Sequence, residues 1–221
     1  MRKSLSVACV TIALCAHTAA QQPPAADRAL AREILKELVE IRSTQDDGTM
    51  RAAQAVTARL AAAGFPKEDL HIITSGGNGN VANVVARFRG RTPEAAGILL
   101  MAHIDVVPAR REDWSMDPWT LAERDGWFYG RGSTDNKAGA AMLVANFVVL
   151  KRAGWQPARN LILVLTGDEW SSTQREDDRG HPTARVWYFD FLNGVRKDDD
   201  TTLFINLWGG IANSLCVRRP L

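Results

Sequence analysis

The 221-residue chain has few cysteines, little excess charge and no long hydrophobic run beyond its first segment. Of its three cysteines, Cys9 and Cys15 lie in that first segment, so Cys216 alone remains in the rest of the chain. One cysteine can form neither a disulfide framework nor a cysteine-rich structural zinc site. Basic residues number 27 and acidic residues 25, and this net charge of +2 gives no reason to expect nucleic acid as a partner.

The first twenty residues have the order of a secretory signal. A basic start is followed by a mostly apolar run, residues 5–16, and by small residues up to Ala20. Because this run is shorter than a membrane-spanning helix, we expect a signal peptide over residues 1–20, with an uncleaved interfacial anchor as the alternative. We therefore expect cleavage after Ala20, a periplasmic or secreted protein, and no membrane attachment once the signal is removed.

Hydrophobic spacing in the following part of the chain predicts alternating helices and strands. Apolar residues spaced by three and four predict a helix from Asp27, its expected N-cap, to about Ile41. The further predicted helices cover 49–63 and 136–153, and the predicted strands cover 70–74, 81–88, 97–102 and 160–166. The last two strands are continuously apolar, which is typical of central strands buried on both faces. This order predicts an α/β fold.

The alternation breaks after Glu169. Residues 170–221 contain short charged clusters, such as 175–179 and 198–200, and apolar bursts without a sustained period. We therefore separate residues 21–169, the folded α/β part, from residues 170–221, a divergent tail.

A histidine and an aspartate follow the first of the two buried strands. His103 and Asp105 are two residues apart, so both can point to the same side of an extended chain and meet. A carboxylate beside a histidine fixes its tautomer and strengthens it as a metal ligand. The pair predicts either a metal-binding histidine or a histidine that is only hydrogen-bonded in a loop.

Two further acidic residues lie at the ends of predicted buried elements. Asp135 precedes a long helix, where it is either a helix N-cap or a carboxylate that bridges two cations. Glu169 follows the strand at 160–166 and is either a general base or a solvated turn residue. Together with His103, these side chains would supply a nitrogen ligand, a bridging oxygen ligand and a base, which is what a metal-activated water needs.

Four motifs in this order resemble a known family. LLMAHIDVVPA, WSMDPW, DGWFYGRGSTDNKAGAAMLVANFVVLKRAG and NLILVLTGDE are similar to motifs of the dinuclear zinc amidohydrolases of the aminoacylase, glutamate carboxypeptidase and succinyl-diaminopimelate desuccinylase type. The resemblance covers roughly residues 27–169. It implies a three-layer sandwich like that of zinc exopeptidases, with a mixed, mainly parallel sheet that is incomplete at its C-terminal side.

The resemblance also implies roles for four side chains. His103 would bind one zinc, Asp105 would orient His103, and Asp135 would bridge two zinc ions. Glu169 would take a proton from metal-bound water. The implied cofactor is two zinc ions per site, with cobalt or manganese as alternatives because these ligands accept several metals. The implied reaction is hydrolysis of an amide bond in a small peptide or an N-acyl amino acid.

The chain departs from the family at several points. Trp170 stands where the family has a second glutamate, a metal ligand, and an indole N–H cannot ligate zinc. Neither the family's later acidic ligand nor its C-terminal histidine has a matching motif, and His181 lies in unrelated surroundings. The family's lid and dimerisation domain has no counterpart, so we expect no oligomer. The expected function is thus that of a truncated metal-dependent hydrolase, or alternatively a truncated or frameshifted remnant with at most weak metal binding.

Overall fold

The structure is a computed structural model that describes residues 22–75 and 80–168, together with the backbone of two strands in the tail. The helices are α1 (Ala25–Glu40), α2 (Met50–Ala62) and α3 (Lys137–Arg152). The strands are β1 (Leu70–Ser75), β2 (Val81–Phe88), β3 (Ile98–His103), β4 (Ala122–Arg124), β5 (Trp127–Tyr129), β6 (Leu161–Thr166), β7 (Leu203–Asn206) and β8 (Cys216–Val217). The predicted signal at 1–20 lies outside the described residues.

Six of the strands form one mixed sheet in the order β1-β2-β6-β3-β7-β8. Strand β3 runs parallel to β6 and to β7, and the other three pairings are antiparallel. The predicted α/β class and the mixed sheet are confirmed, although parallel pairings do not predominate among the described strands. In the register of β3 with β6, His103 lies opposite Thr166, so the carboxyl ends of both strands meet at one edge of the sheet.

The three helices form one layer on one face of the sheet. Helices α2 and α3 contact the sheet directly, and α1 packs against α3. The side chains of β2 alternate between the two faces: Ala82, Val84 and Ala86 join the core under the helices, whereas Val85 joins a second apolar cluster on the opposite face. This is the period of two that a strand requires.

Strands β3 and β6 are buried on both faces, as their continuous apolar runs predict. Leu163 and Leu165 pack under the helices, while Ile162 and Val164 belong to the second cluster with Leu99. In the described part of the chain no helix packs on that second face. The third layer of the expected sandwich, and the completeness of the sheet at its C-terminal side, therefore lie outside the described residues.

The structure differs from the predicted elements in three places. Helix α1 begins at Ala25 with Pro24 as its N-cap, so the assignment of Asp27 as N-cap was wrong. Asp27 lies in the first turn, where a carboxylate is favourable because the helix dipole is positive at that end. Strands β4 and β5 form a hairpin that the sequence did not predict, since three-residue strands are too short to show a period. The tail, to which no element was assigned, contributes β7 and β8.

None of the helices in the described residues is both long enough and apolar enough to cross a membrane.

Candidate functional site

His103 is the last residue of β3. Its buried imidazole lies at the end of the sheet where the carboxyl ends of β3 and β6 meet. Its Nε2 lies 2.9 Å from Oδ1 of Asp135. Its Nδ1 lies 3.1 Å from the backbone oxygen of Asp105 and 3.5 Å from Oδ1 of the same residue. The His103 side chain is 3% exposed and that of Asp105 is 6% exposed. The structure thus brings together three of the four side chains singled out in the sequence.

Asp135 reaches His103 from the loop that precedes α3. The helix begins at Lys137 with Asn136 at the N-cap position, and the Asp135–Asn136 peptide bond is cis. Of the two alternatives for Asp135, the helix cap is wrong, because its carboxylate contacts the imidazole and Asn136 occupies the cap position. The Asp135 side chain is 37% exposed, so it connects the buried histidine to the surface of the site.

The imidazole of His103 lies in a strongly anionic setting. Burial lowers the pKa of His103, but the contacts with Asp105 and then Asp135 outweigh this effect and raise the pKa to about 9. In the metal-free chain the ring is therefore protonated at neutral pH and donates to both carboxylate-bearing residues. A metal at Nε2 has to replace that proton.

The donor set fits zinc in kind but supplies only part of a site. An imidazole nitrogen and a carboxylate oxygen are ligands that zinc prefers, and Asp105 at the other ring nitrogen is the outer partner that metal-bound histidines usually have. A zinc ion needs about four ligands. Within residues 22–75 and 80–168, no group of three or more His, Cys, Asp or Glu side chains is arranged to hold a metal ion. Glu169, the expected general base, lies outside the described residues.

Two cavities share lining residues in this region, and the first of them is lined by a residue of the cluster. The first has a volume of about 70 Å³ and is lined by Asp105 from the end of β3 and by Gly167 and Asp168 from the end of β6. Asp168 is the last described residue before Glu169 in the sequence. The carboxyl ends of β3 and β6 therefore flank one space, as expected for ligand sites of open α/β sheets.

The second cavity is larger, about 410 Å³, and shares Thr44 and Pro108 with the first. Its volume lies within the range of small-molecule sites, roughly 300–1,000 Å³. Arg42 stacks over the ring of Trp119 at 5.2 Å on its wall, and Asp117 lies beside them. Hydrogen bonds from Thr120 and from the Trp119 backbone lower the pKa of Asp117, with smaller contributions from nearby arginines.

Sequence reasoning missed Lys137, the residue at the start of α3. Its side chain is fully buried, and its Nζ donates to the backbone oxygens of Leu38 and Ile41. Burial lowers the pKa of Lys137 to about 7, although Asp105 and Asp47 oppose this shift. One signal in the sequence was its position at the first residue of a helix. The helix dipole disfavours a cation there, so a lysine at that position suggests a specific interaction of its side chain.

Gly132 lies in the loop before α3, at a position where both the backbone conformation and the available space favour glycine. Its φ is +79°, and an added Cβ would lie 2.5 Å from Cγ1 of Val106 and 3.2 Å from Cδ of Lys137. Gly126 is a matched control, since its φ is +80° with nothing within 4 Å. We expect Gly132→Ala to lower the free energy of unfolding by about 1–3 kcal/mol more than Gly126→Ala does, measured by urea denaturation. Equal losses in the two variants would show that the loop relaxes without cost.

Parts of the chain are similar to known proteins. Residues 99–180 match the family model described as peptidase family M20/M25/M40. The matched range extends past Glu169, so it includes residues 170–180, which the sequence analysis placed in the divergent tail. The chain is 37% identical over 116 residues to a succinyl-diaminopimelate desuccinylase of Methylibium petroleiphilum, covering 52% of this chain and 29% of that protein. It is 37% identical over 98 residues to the mouse N-fatty-acyl-amino acid synthase/hydrolase PM20D1, covering 42% of this chain and 20% of that protein.

Solved structures agree at the level of the fold. The dipeptidase Dug1p from Saccharomyces cerevisiae superposes with a TM-score of 0.62 at 20% identity, covering 82% of this chain and 38% of that one. Human carnosine dipeptidase 1 gives a TM-score of 0.57 at 21% identity, covering 84% and 41%. The chain spans less than a third of the length of the curated relatives named above. The resemblance predicted from the sequence is confirmed: residues 99–180 match the M20/M25/M40 peptidase family, and the partial coverage fits the N-terminal part of such a domain.

Proposed function

We propose that this chain forms part of a metal-dependent hydrolase that cleaves amide bonds in small peptides or N-acyl amino acids. The observation that carries the proposal is the 2.9 Å contact between His103 Nε2 and Asp135 Oδ1 at the carboxyl edge of the sheet. It supports a shared cation because both groups are zinc ligands by chemistry and Asp105 contacts the second ring nitrogen.

The relatives support the reaction class. One is a desuccinylase and another a synthase/hydrolase of N-fatty-acyl amino acids, so both names describe N-acylated amino-acid compounds. The cavity of about 410 Å³, which shares Thr44 and Pro108 with the smaller cavity that Asp105 lines, has room for a substrate of that size. We infer a small amide substrate from these two observations together.

In the proposed reaction each side chain has one task. His103 and Asp135 would hold the metal, and Asp105 would keep the imidazole in the tautomer whose Nε2 is free to ligate. When bound, zinc supplies a Lewis acid for the amide carbonyl and lowers the pKa of water. Glu169 would accept a proton from the attacking water and return it to the leaving amine.

Metal content and activity of the purified chain test this proposal. We expect zinc in the purified protein, hydrolysis of N-acyl amino acids or dipeptides, loss of that activity with a chelator, and recovery on adding zinc, cobalt or manganese. Glu169→Gln should abolish hydrolysis without reducing bound zinc, because it changes the base but neither of the two proposed ligands. A chain that binds no zinc at micromolar concentration would overturn the proposal.

A second candidate is a non-catalytic remnant with at most weak metal binding. The observation that favours it is Trp170, which stands where the resembling family has a carboxylate ligand. Under this alternative, zinc binds weakly and no amide substrate is cleaved. Trp170→Glu then separates the two candidates. It should raise zinc affinity strongly if the wild-type chain binds weakly for lack of this carboxylate, and should change it little if the wild-type chain already binds zinc tightly.

We also propose that the protein is exported and that residues 1–20 are removed. The basic start and short apolar run of that segment support this, as do its small residues before Gln21. We expect the N-terminal sequence of the exported protein to begin at Gln21. Recovery of exported protein that still begins at Met1 would contradict the cleavage.

A further inference from the structure

We propose that Lys137 is a positioning residue of the metal site: its ammonium ties the loop that carries Asp135 to the end of α1 and so holds Asp135 against His103. The inference rests on the proposed function in one respect, because it takes Asp135 to be a metal ligand. The role assigned to Lys137 is indirect, since its Nζ contacts neither of the two proposed ligands in the interactions described.

The anchor consists of two hydrogen bonds. Lys137 Nζ donates to the backbone oxygen of Leu38 at 2.7 Å and to that of Ile41 at 2.9 Å. Leu38 lies in the last turn of α1 and Ile41 is the C-cap residue, so both carbonyls belong to the end of the helix whose oxygens lack intrahelical partners. The Leu38 carbonyl lies at the negative end of the helix dipole, which attracts a cation.

The same segment also holds the loop that carries Asp105. Ser43 is fully buried, and its Oγ donates to the backbone oxygen of Ile104 at 2.7 Å. The backbone oxygen of Ser43 accepts from Val106 N–H at 3.0 Å. These two bonds lie on either side of Asp105. Residues 38–43, which we term the α1 exit segment, therefore connect the Asp105 loop and the Asp135 loop to one support.

The position of Lys137 makes the anchor effective. Lys137 follows Asp135 by two residues. Its backbone N–H donates to the backbone oxygen of Gly132 at 3.1 Å, and this bond closes the loop that contains Asp135. The backbone of Lys137 thus holds Gly132 at the start of the loop, and its side chain holds the end of the loop to the α1 exit segment. A loss of the ammonium would release Asp135 from the exit segment while leaving the helix itself intact.

A buried ammonium is a costly way to fill this space. Transfer of a cation out of water is unfavourable, and burial lowers the pKa of Lys137 to about 7. The side chain is 0% exposed, so its tip gains nothing from solvent. A methionine would fill a similar volume without the desolvation cost, but it could not donate to the two carbonyls.

The test compares Lys137→Met with Val144→Ala in the full chain. Val144 is fully buried in α3 and belongs to the core, so its truncation lowers stability without removing a hydrogen bond to the exit segment. We expect Lys137→Met to weaken zinc binding about 10- to 100-fold, as loss of an outer-sphere support usually does, while Val144→Ala changes it less than about twofold. Zinc affinity is measured by competition with a chromophoric chelator.

A second readout does not depend on metal. In the metal-free chain, Lys137→Met should accelerate amide hydrogen exchange in residues 132–136 about tenfold relative to Val144→Ala. If the wild-type chain binds no zinc, the proposed function fails, and the exchange rates still decide whether Lys137 fixes the loop. Equal zinc affinity and equal exchange in the two variants would overturn the positioning role.

Restoring the ammonium provides the rescue. Lys137→Cys is placed in a chain with Cys9→Ser, Cys15→Ser and Cys216→Ser, alkylated with bromoethylamine while unfolded, and refolded. The product carries an ammonium at nearly the lysine distance, and we expect zinc affinity and loop exchange to return to within about threefold of the same chain with Lys137 retained. Alkylation with iodoacetamide adds no cation and should give no recovery. Equal behaviour of the two adducts would contradict the proposal, even if Lys137→Met does not fold.

Discussion

Replacing His103 by alanine should lower the zinc affinity of this chain at least about 100-fold and abolish the proposed amide hydrolysis. The variant removes the ligand nitrogen at Nε2 and the group whose Nδ1 contacts Asp105. It also leaves Asp105 buried without its imidazole partner, so the site loses both a ligand and the charge that balances it. Zinc affinity is measured by chelator competition, and hydrolysis by release of the free amino acid.

His71→Ala is the matched control for this variant. His71 lies on β1, is exposed, and lies at the far end of the sheet order from β3. We expect zinc affinity and hydrolysis in His71→Ala to stay within about twofold of the wild-type chain. A His103→Ala chain that retained wild-type zinc affinity would show that the metal, if it binds, is held elsewhere.

The elements that carry the site could be predicted from the sequence because their signals are local. Strands β3 and β6 are continuously apolar, which requires burial on both faces, and such strands occupy the middle of a sheet. The spacing of His103 and Asp105 then placed two side chains at one end of β3. Neither inference needs a residue that is distant in the chain.

The choice between alternatives for Asp135 depended on contacts that sequence does not show. A carboxylate before a helix is compatible with a cap and with a ligand. The cap is ruled out only by Asn136 at the cap position and by the contact to His103, 32 residues earlier. Lys137 is a stronger case, since its partner Leu38 lies 99 residues away in the chain. The spacing of hydrophobic residues along the chain carries no information about such distant pairs. From the sequence alone, a buried lysine at the start of a helix therefore cannot be distinguished from an exposed one.

The pH dependence of zinc binding should show the proton that His103 carries in the metal-free chain. Since Asp105 and Asp135 raise the pKa of this imidazole to about 9 against burial, zinc has to displace a proton at any pH below that value. We expect the apparent zinc association constant to rise about tenfold per pH unit from pH 6.5 to 8.5 and to level off above 9. Calorimetry in buffers of different ionisation enthalpy should detect about one proton released from this site per bound zinc at neutral pH.

The contribution of His103 to the stability of the metal-free chain should change with pH in the opposite sense. The pKa of His103 is about 9 in the folded chain and near 6.5 when unfolded, so its ion pairs stabilise the fold fully below pH 6.5 and are lost as pH rises through 9. Because burial lowers the pKa of Lys137 to about 7, that lysine makes stability rise between pH 7 and 10.5 and masks the histidine. The difference in unfolding free energy between wild type and His103→Asn removes the lysine contribution, provided that the substitution leaves the environment of Lys137 unchanged. That difference should fall by on the order of 3 kcal/mol from pH 6 to pH 9.5. A difference independent of pH would mean that His103 does not make its contacts with Asp105 and Asp135 in solution.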